Sequence, residues 1–128
     1  MRALALALAL AACAETPVAG PIHLSGTRWI MDDADASPHL PTIAFSDSRA
    51  NGFDGCNAWF ASVEQNGEGL RFDHVGTTRR ACEAESAGGV ERRFLAMLNA
   101  TRYGHYDQDV LMLLDAEQRP LGRFNADR

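Results

Sequence analysis

The chain has no lysine: its twelve basic residues are all Arg, set against seventeen acids for a formal net charge of −5. An acidic surface repels phosphates, which excludes nucleic acid as a partner. Adhesion to anionic lipid headgroups needs clusters of Lys or Arg, so any membrane attachment has to be covalent. The pairs Arg79-Arg80 and Arg92-Arg93 read as surface ion-pair partners. Long apolar runs are also missing. The longest, residues 3–14, of which 3–12 is pure Ala and Leu, falls short of the roughly eighteen residues that cross a bilayer.

Catalytic signatures are absent as well. There is no Gly-x-Ser-x-Gly, no phosphate-binding glycine loop and no His-Glu-x-x-His. The four histidines, at 23, 39, 74 and 105, are scattered, and no two have the spacing of one helix turn. Asp32, Asp33, Asp35 and His39 form an acidic loop, but it lacks the glycine-directed turn and distal acid of a calcium loop, so it reads as solvated. No nucleophile is assembled with a base and an orienting group. The expectation is a protein that is not an enzyme and carries neither cofactor nor metal.

What is present begins at the N-terminus. Met1-Arg2 supplies a positive start, and Ala3 to Ala12 is pure Ala and Leu, the layout of an export signal. The junction Leu10-Ala11-Ala12-Cys13 resembles a lipobox, the bacterial signal for lipid transfer to a cysteine thiol. That resemblance implies a signal peptide over 1–12, a lipidated Cys13 and a tether over 13–22, rich in Pro and without periodicity. Two or three acyl chains, at about 0.8 kcal/mol per buried methylene, would anchor the chain firmly. Ala14 in place of Asp after the cysteine implies passage to the outer membrane, facing the periplasm. Removing 1–12 takes one Arg and no acid, so the mature chain is more acidic still.

Residues 23–128 read as one domain of short strands and a single helix. Strand patterns occupy 23–31, 42–45, 57–64, 70–74, 110–114 and 120–124, with Asn66-Gly67 as a hairpin turn. On the returning strand Leu70, Phe72 and His74 share a face. Val90, Phe94, Met97 and Leu98 fall at i, i+4, i+7 and i+8, the apolar stripe of a helix. Gly88-Gly89 discourages an earlier start, with Ser86 as a candidate cap. Connections this short imply antiparallel pairing, and one helix has to cover the apolar face of the sheet. The fold class is α+β.

With Cys13 lipidated, Cys56 and Cys82 remain, an even pair in an oxidising compartment, and a disulfide between them is the favoured reading. Two buried thiols are the alternative. Half of a metal site is disfavoured, because neither has a second Cys or His two to four residues away.

Two segments carry a family resemblance. Gly55-Cys56-Asn57, followed by Ala58-Trp59-Phe60-Ala61, is similar to the Gly-Cys-Asn signature of META domains, the HslJ-like family. About twenty residues on, Thr78-Arg79-Arg80-Ala81-Cys82 resembles that family's Thr-Arg-Met-Ala-Cys motif, with Arg80 in the place of Met. Trp29, Pro41 to Phe45, Phe94 to Leu98 and Asp109 to Asp115 fit the flanking pattern. The resemblance implies a single domain in which an antiparallel sheet curls around one helix, and Gly55, Cys56, Asn57, Thr78, Arg79, Ala81 and Cys82 as its motif residues. It also implies an envelope protein linked to stress tolerance, with no established reaction. The functional expectation is a monomeric, non-enzymatic envelope lipoprotein, attached to the membrane through its N-terminal lipid. It would support stress tolerance or envelope assembly by binding an unknown envelope protein. The alternative is a carrier or pilotin-like module holding a small apolar ligand or peptide between helix and sheet.

Overall fold

The computed structural model describes residues 23–128. The export segment, Cys13 and the whole of the tether lie outside the described residues. Eight strands and one helix follow: β1 (Arg28–Met31), β2 (Thr42–Ser46), β3 (Arg49–Phe53), β4 (Ala58–Asn66), β5 (Gly69–Thr77), α1 (Glu85–Ala100), β6 (Tyr103–Asp107), β7 (Val110–Leu114) and β8 (Pro120–Ala126). Every strand is antiparallel to its neighbours in sequence, and β8 returns to pair with β1, Trp29 opposite Ala126. The α+β class is as read, with the curl carried to completion: the sheet closes into a barrel. Its narrowest seam is β5–β6, registered at Gly69 opposite Tyr103 alone. The segment joining these two strands is α1, which packs chiefly against β5.

The core is built by alternation on the strands and by the helical stripe together. Trp29, Ile43, Phe45, Trp59, Ala61, Leu70, Phe72, Leu111, Leu113 and Phe124 point inward and are buried. Ala87, Val90, Phe94, Met97 and Leu98 are the buried face of α1. Phe94 meets Trp59 edge-on at 5.5 Å and Phe124 at 6.3 Å between ring centroids. Both indoles keep a hydrogen-bond partner, as buried Trp requires: Trp29 Nε1 donates to Thr27 Oγ1 and Trp59 Nε1 to the Thr42 carbonyl. The helix approaches β8 at Gly122, where a Cβ would stand 2.5 Å from Met97 Sδ.

Several elements differ from expectation. The helix starts at Glu85, not after Gly88-Gly89, and its cap is Ala84, not Ser86. A glycine costs a helix about 1 kcal/mol relative to Ala, and tertiary contact outweighs that here, because Ala87 and Val90 are buried. The first strand begins at Arg28 rather than His23. Strands β3 and β6 were not foreseen. β3 reads Arg-Ala-Asn-Gly-Phe and buries only Ala50 fully, so its ladder with β2 and β4, not its own pattern, makes it a strand. His74 does not share the inward face of Leu70 and Phe72. It is exposed with φ 54°, where the β4–β5 register shifts between Phe60 and Ser62. In the acidic loop, Asp33 accepts a hydrogen bond from the Asp35 N–H and caps a 3-10 turn, Ala34–Ala36. Among the described residues, none of Arg79, Arg80, Arg92 and Arg93 forms the ion pair expected of it.

Candidate functional site

The two motif segments lie far apart in sequence and meet at one end of the barrel. Asp54 to Asn57 joins β3 to β4, and Thr78 to Ala84 runs from the end of β5 to the start of α1. Asp54 organises the first segment. It is fully buried, and its Oδ1 accepts from the backbone N–H of Cys56 at 2.9 Å and of Asn57 at 2.6 Å. The turn needs Gly55 for two reasons. Its φ is 107°, and a Cβ there would stand 2.6 Å from Val90 Cγ1, so the helix rests directly on the glycine.

Asn57 ties the second segment to the first. Its Oδ1 accepts from the Arg80 N–H at 2.9 Å and from Thr78 Oγ1 at 3.2 Å. Its Nδ2 donates to the Arg80 carbonyl at 3.1 Å and to Glu91 Oε2 at 2.9 Å. Thr78 completes the join, accepting at Oγ1 from the Ala58 N–H and donating its own N–H to the Ala58 carbonyl. Arg79, Arg80 and Ala81 are exposed. Cys56 and Cys82 are bonded to each other, their Cα atoms 5.4 Å apart, within the usual span of a bridge. Each residue is half-buried. Their sulfurs and a Glu91 oxygen lie within 4.8 Å of one another. That spacing would suit a metal, but the sulfurs are committed to the bond. Beside the bridge is a hollow of about 360 Å³, lined by His39, Phe53, Arg80, Ala87 and the two cysteines, among others.

Glu91 and Asp54 were missed from sequence. Burial pushes the Glu91 carboxyl above its ordinary pKa. The Asn57 hydrogen bond opposes this, the Asp54 carboxyl reinforces it, and Arg92 opposes it more weakly. Asp54 Oδ2 is buried with no partner among the described residues. A Glu91 that keeps its proton supplies one, since a protonated carboxyl is a donor. No signal in the sequence marked Glu91, which occupies an ordinary position beside the helical stripe. Asp54 had one: an Asp two residues before a cysteine in a glycine turn fits an Asx turn.

Two predictions follow from this geometry. Asn57→Ala strands the Arg80 N–H and carbonyl together and should lower the unfolding free energy by about 2 kcal/mol in urea titration; a loss within error of zero would contradict the role given to the amide. The second concerns pH. A carboxyl with a higher pKa folded than unfolded contributes stability that is complete below the unfolded value and lost as pH rises through the folded one. Glu91→Gln should therefore gain stability relative to the parent as pH rises from the ordinary carboxylate range toward neutrality. A difference between the two proteins that stays constant across that window would overturn the assignment.

A family model, the META domain, matches residues 22–128. The chain belongs to the META domain family. Among curated proteins, none matches the sequence. Solved structures share the META chain's fold at low identity. A protein from Burkholderia xenovorans, solved by NMR, superposes with a TM-score of 0.68 at 21% identity, covering 81% of this chain and 83% of that one. A DUF4847 family protein from Bacteroides vulgatus, solved by crystallography, gives 0.59 at 14% identity, covering 80% and 93%. For this META domain, the motif residues thus converge on one joint. Gly55 seats the helix, Asn57 and Thr78 lock the two segments, and Cys56 and Cys82 bond them.

Proposed function

We propose that this META domain is a non-enzymatic envelope lipoprotein, anchored through lipid on Cys13, that supports stress tolerance or envelope assembly through a binding surface. The filled core is the observation that carries the binding reading over the carrier reading. Trp29, Trp59, Phe94 and Phe124 are each no more than 1% exposed and occupy the space between helix and sheet where an apolar ligand would sit. The surface that fits the role best is the hollow at the motif joint. There the exposed Phe53 and Arg80, which has no ion-pair partner among the described residues, offer an aromatic face and a cation beside the bridge, and such residues are enriched among binding hot spots. Among the described residues, no helix is long and apolar enough to cross a membrane. Attachment is assigned to Cys13 on the lipobox resemblance, and the outer membrane, periplasmic side, on Ala14.

Two experiments test this reading. The mature protein should partition into detergent and carry acyl mass at its N-terminus, and Cys13→Ser should release it or leave it unprocessed; unchanged membrane retention would refute the anchor. Affinity capture from crosslinked envelopes, with the lipidated protein and the Cys13→Ser form, should recover a protein partner. That recovery should fall with Phe53→Ser and Arg80→Ser. A bound acyl ligand in place of a protein would favour the carrier.

A further inference from the structure

A disulfide that serves only as a staple has no need of polar groups around its sulfurs, and this one is surrounded by them. The motif hollow opens onto both cysteines, each half-buried, so a second thiol has a route to the bond. The buried Asn57 points Nδ2 at Cys56 Sγ from 3.4 Å. Its orientation is held from behind by the bonds Oδ1 accepts from Thr78 and Arg80. Cys82 stands just ahead of α1, and its sulfur is 3.7 Å from where a Cβ on Gly88 would be, against the opening turns of the helix. A Glu91 oxygen lies within 4.8 Å of both sulfurs. Next to Glu91 is the fully buried Asp54, whose Oδ2 has no partner among the described residues unless Glu91 carries a proton.

We propose that Cys56–Cys82 is an exchangeable bond, reduced by a protein dithiol whose thiolate attacks Cys82 and expels Cys56, with Glu91 as the proton donor. This goes beyond the binding role above: the chain is a stoichiometric redox substrate, and the partner is a dithiol protein. In the first step a bond forms between the partner's sulfur and Cys82 Sγ. The Cys56–Cys82 bond breaks and its electron pair leaves on Cys56 Sγ. Exchange is faster when the leaving sulfur is the more acidic, and the Asn57 N–H beside Cys56 favours that sulfur as the one expelled. As that bond breaks, the Glu91 proton passes to Cys56 Sγ, which leaves as a thiol. In the second step the partner's other thiol, deprotonated, attacks its own sulfur in the mixed disulfide and expels Cys82. That thiolate later takes a proton from water. Glu91 regains its own proton from water. The partner dithiol ends as a disulfide, the chain ends with two thiols, and two electrons have moved from one to the other.

The pH dependence of the first step is set by Glu91 and the groups that face it. These are Asp54 and Asn57 from the β3–β4 turn, Cys56 and Cys82, and Arg92 on its own helix. Burial and the Asp54 carboxyl both push the Glu91 pKa upward, which favours the protonated form that the step uses.

The test uses the full chain and dithiothreitol as the dithiol. Alkylation at Cys56 and Cys82 is followed separately by peptide mass spectrometry, which keeps Cys13 out of the measurement. The unfolding rate is measured independently by denaturant jump. Reduction should be first order in dithiothreitol and at least about tenfold faster than unfolding. Corrected for the thiolate fraction of dithiothreitol, its rate constant should fall as pH rises through the Glu91 titration. Glu91→Gln should lower that rate constant by about a hundredfold at the acid end, the usual scale of general acid catalysis, and flatten the profile. Reduction no faster than unfolding at any dithiothreitol concentration would overturn the proposal, and that result needs only the parent protein. A Glu91→Gln profile matching the parent in rate and shape would overturn it as well.

Discussion

Phe94→Ala should lower the unfolding free energy by about 3–5 kcal/mol, the range for buried aromatics cut back to alanine. The reason lies in where the ring sits. Phe94 is 1% exposed and touches Trp59 on β4 and Phe124 on β8. In a closed ring of eight strands, β4 and β8 lie on opposite walls. To fill the space left by the ring, both walls would have to move inward, and a barrel held by continuous ladders resists that. Most of the cavity should therefore persist, which places the loss toward the upper part of the range. Phe94→Leu keeps most of the volume and should lose less than about 1.5 kcal/mol. Urea denaturation measures both, and a loss below about 1 kcal/mol for the alanine variant would mean that α1 is peripheral to the core.

Removing the Cys56–Cys82 bond should be the next largest change. The bridge joins residues separated by 26 positions, and closing a loop of that size removes about 3.5 kcal/mol of entropy from the unfolded chain. That loop contains all of β4 and β5. The bridge holds the end of this hairpin against the turn from which it starts. The double variant Cys56→Ser, Cys82→Ser should lose about 2–4 kcal/mol in urea relative to the oxidised parent. A loss well under 1 kcal/mol would show that the Asn57 hydrogen bonds alone hold the joint. Because the expected loss acts on the unfolded state, it should appear mainly as a lower folding midpoint, with the native network intact.

The elements that could be read from sequence are those whose burial pattern is local. The stripe Val90, Phe94, Met97, Leu98 places the helix because four contacts along one face have to be apolar whatever they meet. β4 announces itself by Trp59 and Ala61, and β7 by an unbroken apolar run from Val110 to Leu114. β3 and β6 carried no such pattern. Arg49 to Phe53 and Tyr103 to Asp107 mix glycine with polar residues, and they are strands because neighbours on both sides accept and donate their backbone hydrogen bonds. His74 shows the same limit on a smaller scale. A register shift cannot be seen in a strand read by itself, since alternation assumes a regular ladder.

At the site the division is similar. Sequence by itself determined the composition of the motif joint: a glycine for a turn that L-side chains rarely adopt, an asparagine with donors and an acceptor to spend, and two cysteines. It also determined that a single helix would cover the sheet. Only the tertiary structure decided that the sheet closes, because closure depends on β1 meeting β8 across almost the whole domain. It alone placed Glu91 against Asp54 and both sulfurs. These residues are up to 37 positions apart, and the meeting of two carboxyls leaves no periodicity in a sequence. Periodicity reports the burial of a face, whereas a site is made of side chains from separate elements that share one buried volume.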